Sequence, residues 1–295
     1  SATAKVSLSL ADRWILSLLQ AVTAEVTEHL ETYRFDLASK ALYEFTWGVY
    51  CDWYLELSKP VLFNDNGSDE AKRGTRQTLV RVFETILRLQ HPIMPYITEE
   101  IWQTIKPLVY KNLDSNHDTI MLQPYPVADD SLIDTNADED LDWVKNFIVG
   151  IRKIRSEMDI PPSKPLPILL QNWTDSDKQR FEDNAIFINS LAKIESAQWL
   201  AKGEEAPDSA TALCGEMQIL IPLAGLIDKD AETARLNKEI EKIQKGLAGV
   251  EGRLSNPNFT DKAPADVVAQ VRKQAEEQKV ALAQLEQQLI KILAM

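Results

Sequence analysis

The chain has 295 residues, and its 44% hydrophobic and 26% charged content is that of an ordinary folded protein with room for two or three domains. No apolar run approaches the roughly 18 residues that span a bilayer, so we expect no membrane partner. The net charge of −13 disfavours DNA and other nucleic acids as partners of the chain as a whole.

The acidic charge is unevenly distributed along the chain. Residues 1–125 carry 12 basic and 16 acidic side chains, residues 126–228 carry 9 and 19, and residues 229–295 carry 11 and 10. The last segment is close to neutral, and it is therefore the part of the chain that repels a polyanion least.

Cysteine, histidine and glycine are too sparse for the common reactive sites. Cys51 and Cys214 are far apart in the sequence, which argues against a disulfide framework and for a reducing, cytoplasmic compartment. The three histidines have no neighbour at metal-ligand spacing, and no Walker or dinucleotide-type glycine motif occurs. We predict neither a metal ion nor a cofactor in these residues. The N-terminal stretch SATAKVSLSL has no initiator Met and no signal layout, so we expect it to be part of a longer protein.

Residues 1–125 are predicted to form a bundle of four helices. Ser9 and Asp12 have the spacing of a capping box at the start of the first helix. The second helix is expected to stop at Pro60. The third ends at His91-Pro92, because proline disfavours helical geometry in the residue before it, and the fourth follows directly. Short links between four helices indicate an antiparallel arrangement.

The stretch FTWGVYCDWYLELSKP, residues 45–60, has large apolar side chains at helical spacing around Cys51. We expect one buried face formed by Tyr43, Trp47, Tyr50, Tyr54 and Leu57. Cys51 is then a small core residue rather than a nucleophile, because no histidine or cation is suggested as its partner. Trp102 and the sequence HPIMPY are likewise assigned to architecture. We predict no catalytic residue.

Residues 126–228 are predicted to form a small connecting α/β domain. It opens with the acidic linker ADDSLIDTNADED, which precedes a helix with apolar residues from Leu141 to Ile154. A proline-rich connection then leads into a strand at PILLQ, a helix from Asp175 to Ser190, and strands at AQWL and MQILIPLAG.

Residues 229–295 are predicted to form an antiparallel coiled-coil hairpin, which makes the whole fold mainly α. Apolar residues alternate steps of four and three from Leu236 to Leu254 and again from Val268 to Ile292. Pro257, within SNPNFTDKAP, forbids one continuous helix, so the two halves can close on each other. Glycines spaced three apart in the first helix indicate either a smooth face for close approach or a bendable arm.

Several stretches together resemble one family. LADRWILSLL, ALYEFTWGVYCDWYLELSKP and LQHPIMPYITEEIW are similar to the anticodon-binding domain of class I aminoacyl-tRNA synthetases, and CDWYLE resembles the valyl branch. IRKIRSEMDIPPSKPLPILL is similar to the region that follows in valyl-tRNA synthetases, and RLSNPNFTDKAPADVV to their C-terminal coiled-coil arm. The resemblance covers essentially the whole chain in the family's order.

The resemblance implies that the chain recognises the anticodon and the outer corner of tRNA(Val), as a monomer. The family's His-x-Gly-His and KMSKS-type motifs are absent from this sequence, so we expect a piece without catalysis. The complete ligase would activate valine with ATP and Mg in another domain. Two alternatives remain open: the equivalent region of an isoleucyl- or leucyl-tRNA synthetase, and a helical module with a coiled-coil arm that binds no RNA.

The resemblance places the anticodon loop on the bundle. There the candidate contacts, near the starts of the first two helices, are Arg13, Arg34, Phe35 and Lys40. Phe35 has a second interpretation as a core residue, and the cations as solvated charges. The candidate contacts with the tRNA backbone are Arg152, Arg155, Lys242, Lys245, Arg253, Lys262, Arg272 and Lys273. For Arg152 and Arg155, we favour internal salt bridges over a contact with the tRNA backbone.

Overall fold

A computed structural model describes residues 5–110, 113–223, 229–260 and 265–294. Its contacts divide the chain into two compact units, and the second unit is made mainly of the residues after Pro222. Among the described helices, none has both the length and the apolar content needed to cross a bilayer. The predicted domain limits at residues 125 and 228 are not tested by this division and stay a prediction.

The first unit begins with the expected helical bundle. Its helices are α1 Leu10–Glu31, α2 Phe35–Tyr43, a π-helical segment Glu44–Tyr54, α3 Leu55–Leu62, α4 Asp69–Gln90 and α5 Pro95–Val109. The α2, π and α3 segments form one continuous helix, which ends at Leu62 rather than at Pro60, because Pro60 is accommodated inside the last turns. The prediction of four helices is confirmed, with that boundary corrected.

The start of α1 is fixed by a buried polar network around Asp12. The capping box is present: the Asp12 backbone N–H donates to the Ser9 hydroxyl, and the Asp12 carboxylate accepts from the Ser9 backbone N–H. The same carboxylate accepts from the Tyr54 hydroxyl at 2.7 Å and the Thr75 hydroxyl at 2.7 Å. The network therefore ties α1 to α4 and to the end of the π segment. Position 74, next to Thr75, must be glycine, because a Cβ there would lie 2.0 Å from the Ser7 carbonyl oxygen.

The π segment changes which aromatic side chains are buried. Tyr50 and Tyr54 are buried as predicted, but Tyr43 and Trp47 are 67% and 59% exposed. The Leu55 backbone N–H donates a hydrogen bond to the carbonyl oxygen of Tyr50, five positions earlier in the chain. This is the π-helical pattern, which has more residues per turn than an α-helix. The wider turn rotates the residues after position 44 relative to those before it. The prediction of one buried aromatic face is therefore wrong for Tyr43 and Trp47.

The rest of the first unit is a four-stranded sheet with helices. The elements are α6 Thr135–Glu157, β1 Leu166–Gln171, α7 Asp175–Asp183, α8 Ala185–Ala192, β2 Ile194–Trp199, β3 Ser209–Cys214 and β4 Met217–Pro222. The strand order is β2-β1-β4-β3, with β1 parallel to β2 and antiparallel to β4. Helices α7 and α8 form the crossover between the parallel strands.

Helix α6 joins the bundle to the sheet. It begins inside the predicted acidic linker, at Thr135, because the Asp134 side chain caps it by accepting from the Ala137 N–H. Near this start the Ser17 hydroxyl of α1 donates to Asp138 at 2.9 Å. Further along, Gly150 packs on the sheet, where a Cβ would be 3.2 Å from that of Ala212. The predicted single helix over 175–190 is two helices that meet at Asn184, and β3 was not predicted.

The second unit is the predicted pair of long helices. Its elements are α9 Lys229–Leu254, the short α10 Pro257–Thr260 and α11 Ala265–Ala294. The helices run antiparallel, because Val250 packs on Val271 and Ala275, while Gly246 faces Gln278 further along. Two more glycines of α9, Gly249 and Gly252, face open space.

Candidate nucleic-acid interface

The predicted anticodon residues are divided between the two ends of the bundle. Arg34 and Phe35 lie where α1 has ended and α2 begins, and Lys40 is on α2. Arg13 lies in the first turn of α1, roughly 30 Å from Arg34 at about 1.5 Å per helical residue. Consecutive antiparallel helices start at opposite ends of a bundle. Residues near the starts of α1 and α2 are therefore far apart. Arg13 pairs with Asp134 at 2.8 Å.

Arg34 and Lys40 are exposed, and each pairs with a neighbouring carboxylate. The Arg34 guanidinium donates to both oxygens of Asp36, at 3.0 and 2.8 Å. This hydrogen bonding lowers the pKa of Asp36 to about 2. Lys40 is 3.8 Å from Glu44. Both pairs are solvated, and exposed pairs are weak, so a phosphate can compete for either cation.

Phe35 is an exposed aromatic residue rather than a core residue. Its ring is 56% exposed and packs edge-on against Tyr33, with centroids 6.2 Å apart. Tyr33 is 80% exposed and has φ of 61°, in the left-handed region that a bulky residue rarely adopts. Such strain is concentrated at binding sites. The α1–α2 turn thus exposes two aromatic rings to solvent.

A groove lies on the same side of the bundle, further along the continuous helix. We name it the aromatic groove; it has a volume of about 240 Å³ and is lined by Ser39, Leu42, Tyr43, Thr46, Trp47, Gln90, Ile93 and Met94. Phe35, Ser39, Tyr43 and Trp47 follow one another at steps of four, so one exposed helical stripe connects the α1–α2 turn to the groove. The Gln90 amide N–H donates to the Thr46 hydroxyl at 3.0 Å across it.

The aromatic groove was missed from the sequence for two reasons. Tyr43 and Trp47 fit a regular helical face that also includes buried residues, and nothing local marks the π segment. HPIMPY was assigned to architecture, which suits His91, whose ring nitrogen is 2.8 Å from the Thr98 hydroxyl. The same motif, however, exposes Met94 in the groove and Tyr96, which is 90% exposed. The signal that was available is the density of aromatic residues itself.

Arg152 and Arg155 lie in the last turns of α6, and the structure places them differently. Arg155 is only 6% exposed. Its guanidinium donates to the carbonyl oxygens of Pro161, Ala192 and Lys193, and burial lowers its pKa. This placement gives Arg155 a structural role and does not support the predicted direct contact with phosphate. Arg152 is exposed, with its guanidinium carbon 5.5 Å from the centroid of the Trp53 ring.

The predicted arm cations whose side chains the structure describes are all exposed, and they differ in their partners. Lys245 pairs with Glu241 and Lys273 with Glu277, while the Arg253 guanidinium lies 5.0 Å from the Phe259 ring centroid. Lys242 and Arg272 have no ion pair with another described residue. Lys262 lies outside the described residues, so its prediction is untouched.

Neither cysteine has the surroundings of a nucleophile. Burial raises the pKa of the Cys51 thiol, and the nearby Asp52 charge adds to the shift. Burial likewise raises the pKa of Cys214 to about 11. An activated cysteine needs the opposite shift. Within the described ranges no three His, Cys, Asp or Glu residues come together as a metal site.

Two regions of the chain match known protein families. Residues 12–170, more than half of the chain, match the anticodon-binding domain of tRNA ligases. Residues 228–293 match the tRNA-binding arm of valyl-tRNA synthetases. The chain belongs to the valyl-tRNA synthetase family of tRNA ligases. The predicted family and fold class are thereby confirmed, and the matched arm favours the valyl branch over the isoleucyl and leucyl alternatives.

Membership of the valyl-tRNA synthetase family also establishes the partner. Both matched regions bind tRNA, so tRNA is the ligand of this chain, and the alternative of a module that binds no RNA falls away. The anticodon-binding match continues through α6 into β1, beyond the four-helix bundle. The aromatic groove and the exposed Arg34 and Phe35 all lie inside it.

Proposed function

We propose that the aromatic groove and the adjoining Tyr33–Phe35 turn receive unstacked bases of the anticodon loop of tRNA(Val). The observation that carries the proposal is the exposure of Trp47 and Tyr43 beside a groove that stays open. Proteins recognise RNA sequence mostly in single-stranded loops, whose splayed bases stack on aromatic side chains or guanidinium planes. Folded proteins seldom leave large aromatic residues clustered in water without such a partner.

The groove combines a stacking surface with polar groups at its edge. Trp47 and Tyr43 offer ring faces, and Ile93 and Met94 offer apolar contact from the α4–α5 link. Gln90 uses its amide N–H on Thr46, which leaves its carbonyl oxygen to accept from a base edge. Stacking supplies affinity that every base can use, whereas the edge contact supplies the selectivity for a valine anticodon.

Around this site we propose the remaining functions of the complete ligase. We propose that valine activation with ATP and Mg is carried out by another domain of the complete ligase, because the family's His-x-Gly-His and KMSKS-type motifs do not occur in this sequence. The chain alone is then inactive in valine-dependent ATP–pyrophosphate exchange, and measurable exchange contradicts this. We also propose a monomer, which light scattering tests, and a cytoplasmic location, which fluorescent tagging tests. The free cysteines Cys51 and Cys214 suit that compartment.

The test of the groove is the substitution Trp47→Ala, measured by titration with tRNA(Val). Loss of one stacked base weakens binding by about 1–3 kcal/mol, or about 5- to 150-fold. The same transcript with abasic anticodon positions binds the variant and the unchanged chain equally, because the missing bases have nothing to stack. Anticodon-swapped transcripts measure whether the site prefers the valine anticodon.

The matched control is Phe63→Ala. Phe63 is 78% exposed and follows the end of α3, away from the groove. Its loss removes a similar exposed ring and is expected to leave tRNA affinity unchanged. Equal affinities for Trp47→Ala and Phe63→Ala would rule out the groove as the base-binding site.

A further inference from the structure

A second concave surface lies in the first unit where three helices end. It is a cleft of about 750 Å³, formed by α3, α6, the loop after α6 and α8, and we name it the basic cleft. Its charged and hydroxyl-bearing lining residues are Glu56, Lys59, Arg152, Arg155, Ser156, Asp159, Ser190 and Lys193. The continuous helix that carries Trp47 also carries Lys59 about 12 residues later, so the cleft and the aromatic groove are separate sites.

The wall of the basic cleft contains a buried positive charge. The described partners of the Arg155 guanidinium are three carbonyl oxygens, at 3.0, 3.0 and 3.1 Å, and none is a carboxylate. Carbonyl dipoles satisfy the N–H donors but carry no net charge, so the charge of Arg155 is not neutralised. Two of the carbonyls belong to the end of α8, where a cation is favourable. Arg155 thereby holds the cleft together and makes its wall positive.

Two exposed cations face the same space. Arg152 and Lys193 come from α6 and from the residue after α8, and neither forms an ion pair with a described residue. Lys59, by contrast, is paired with Glu56. The cleft thus has four basic and two acidic side chains in a chain whose net charge is −13. Such a local reversal of charge attracts anions.

Backbone strain is concentrated at this cleft as well. Lys193 has φ of 52° and directly follows α8, and Asp159 has φ of 53° and lies two residues after the end of α6. Glycine usually occupies such left-handed positions, and another residue there costs of order 1 kcal/mol or more. The left-handed conformation at Lys193 brings its carbonyl to Arg155 and leaves its side chain at the mouth of the cleft.

We propose that the basic cleft binds backbone phosphates of the tRNA, at a site distinct from the aromatic groove and the arm. Arginine, lysine and serine side chains are the groups that usually contact phosphate, and Ser156 and Ser190 complete that set here. Arg152 and Lys193 bind the phosphates, whereas Arg155 is a positioning residue. An acidic protein segment has compatible charge, but the RNA partner of this chain is already established. The proposal rests on the proposed function only in taking tRNA as the ligand.

The test is the double variant Arg152→Gln/Lys193→Gln of the whole chain, titrated with tRNA(Val) at several salt concentrations. Each lost phosphate contact lowers the slope of log K against log salt by about 0.7–1, so we expect a reduction of about 1–2. Affinity falls for cognate and non-cognate tRNA alike, because phosphate contacts read no sequence. Both side chains are exposed, so the thermal midpoint is expected to stay unchanged.

The control variant is Lys153→Gln/Lys202→Gln, which removes the same charge from exposed lysines that do not line the cleft. A salt slope equal for the two double variants overturns the proposal, whatever Trp47→Ala does. A slope change with no effect of Trp47→Ala supports the cleft and rejects the groove. The acidic-segment interpretation predicts lost binding of a polyglutamate peptide with unchanged tRNA affinity, and that result also overturns the proposal.

Discussion

The bundle and the arm use charge in opposite ways. In the bundle, carboxylates such as Asp12 and Glu84 are buried and accept several hydrogen bonds from neighbouring helices. In the arm, cations such as Lys242 and Arg272 lie at the surface, and the packed stripe around Val250, Val271 and Ala275 is apolar. The two arm helices share a single buried face, which is filled by apolar side chains. The bundle has several buried faces and can therefore also enclose hydrogen-bonded carboxylates.

This difference separates affinity from recognition. A two-helix unit can present cations along its length, and cations contact the repeating phosphates of any RNA. A bundle held by interior hydrogen bonds can keep aromatic side chains such as Trp47 exposed and still remain folded. We therefore expect base recognition on the bundle, and salt-dependent affinity on the arm and in the basic cleft. The following predictions test that division, from the largest expected effect to the smallest.

The largest effect is expected for Glu84→Ala in the bundle. The Glu84 carboxylate accepts from the Trp102 indole N–H at 3.1 Å, from the Tyr110 hydroxyl at 2.9 Å and from the Arg88 guanidinium at 2.9 Å. Its removal leaves the mostly buried Arg88 without a counter-charge, and it leaves the buried Trp102 and half-buried Tyr110 donors without an acceptor. We expect the free energy of unfolding in urea to fall by about 3–5 kcal/mol.

Glu28→Ala is the matched control for this stability measurement. Glu28 is an exposed carboxylate of α1, and its loss is expected to change stability by less than about 0.5 kcal/mol. Glu84→Gln keeps an acceptor oxygen and is expected to lose less than Glu84→Ala. Equal stability of the Ala variants at positions 84 and 28 would show that the buried network does not support the bundle.

The second prediction concerns Lys242 and Arg272, two arm cations that form no ion pair with a described residue. Lys242→Gln/Arg272→Gln is expected to reduce the salt slope of tRNA binding by about 1–2 and to leave unfolding of the bundle unchanged. Lys245→Gln/Lys273→Gln removes cations that already pair with Glu241 and Glu277, so its effect is expected to be smaller. If the paired cations matter as much as the unpaired ones, ion pairing does not decide which arm cations contact RNA.

The smallest effect is a pH dependence at the edge of the proposed base-binding site. Arg34 holds the pKa of Asp36 at about 2, below its ordinary value of 3.8. A lowered carboxyl pKa contributes stability above the unfolded value, and this is lost as pH falls from about 4 through about 2. Both residues are exposed, so the contribution is small.

NMR titration of the Asp36 carboxyl is the measurement. Arg34→Gln is expected to return its pKa toward the ordinary value. Lys40→Gln is the control, because Lys40 pairs with Glu44 instead. An unchanged Asp36 pKa in the Arg34 variant would mean that the bidentate pair is not formed in solution, and Arg34 would then be free for RNA.

Local signals predicted most of the helix boundaries. The capping box at Ser9 is present, α4 ends immediately before His91, and the apolar steps from Leu236 to Leu254 lie within α9. Each depends on groups within about one or two turns of the chain, such as a side chain that satisfies a free backbone N–H. The whole-chain order of motifs likewise predicted the family before the fold was known.

The misplaced site residues depend on long-range geometry. Arg13 and Arg34 share a position relative to their helices, but the antiparallel arrangement separates them. Arg155 resembles Arg152 in the sequence, yet its guanidinium finds carbonyl oxygens about 37 residues away. Strand β3 was not predicted because it lies at the edge of the sheet, where its residues do not alternate clearly between buried and exposed.

By itself the sequence determined where most of the helices begin and end, which apolar residues form the arm's stripe, and which family the chain belongs to. Only the tertiary structure decided which aromatic and charged side chains are exposed at the surface. The π-helical segment of 11 residues exposes Trp47 while Tyr50 and Tyr54 stay buried, because a wider turn changes the phase of every later residue. The spacing of apolar residues predicts that a helix has two faces. The elements that pack against the helix determine which of those faces stays exposed.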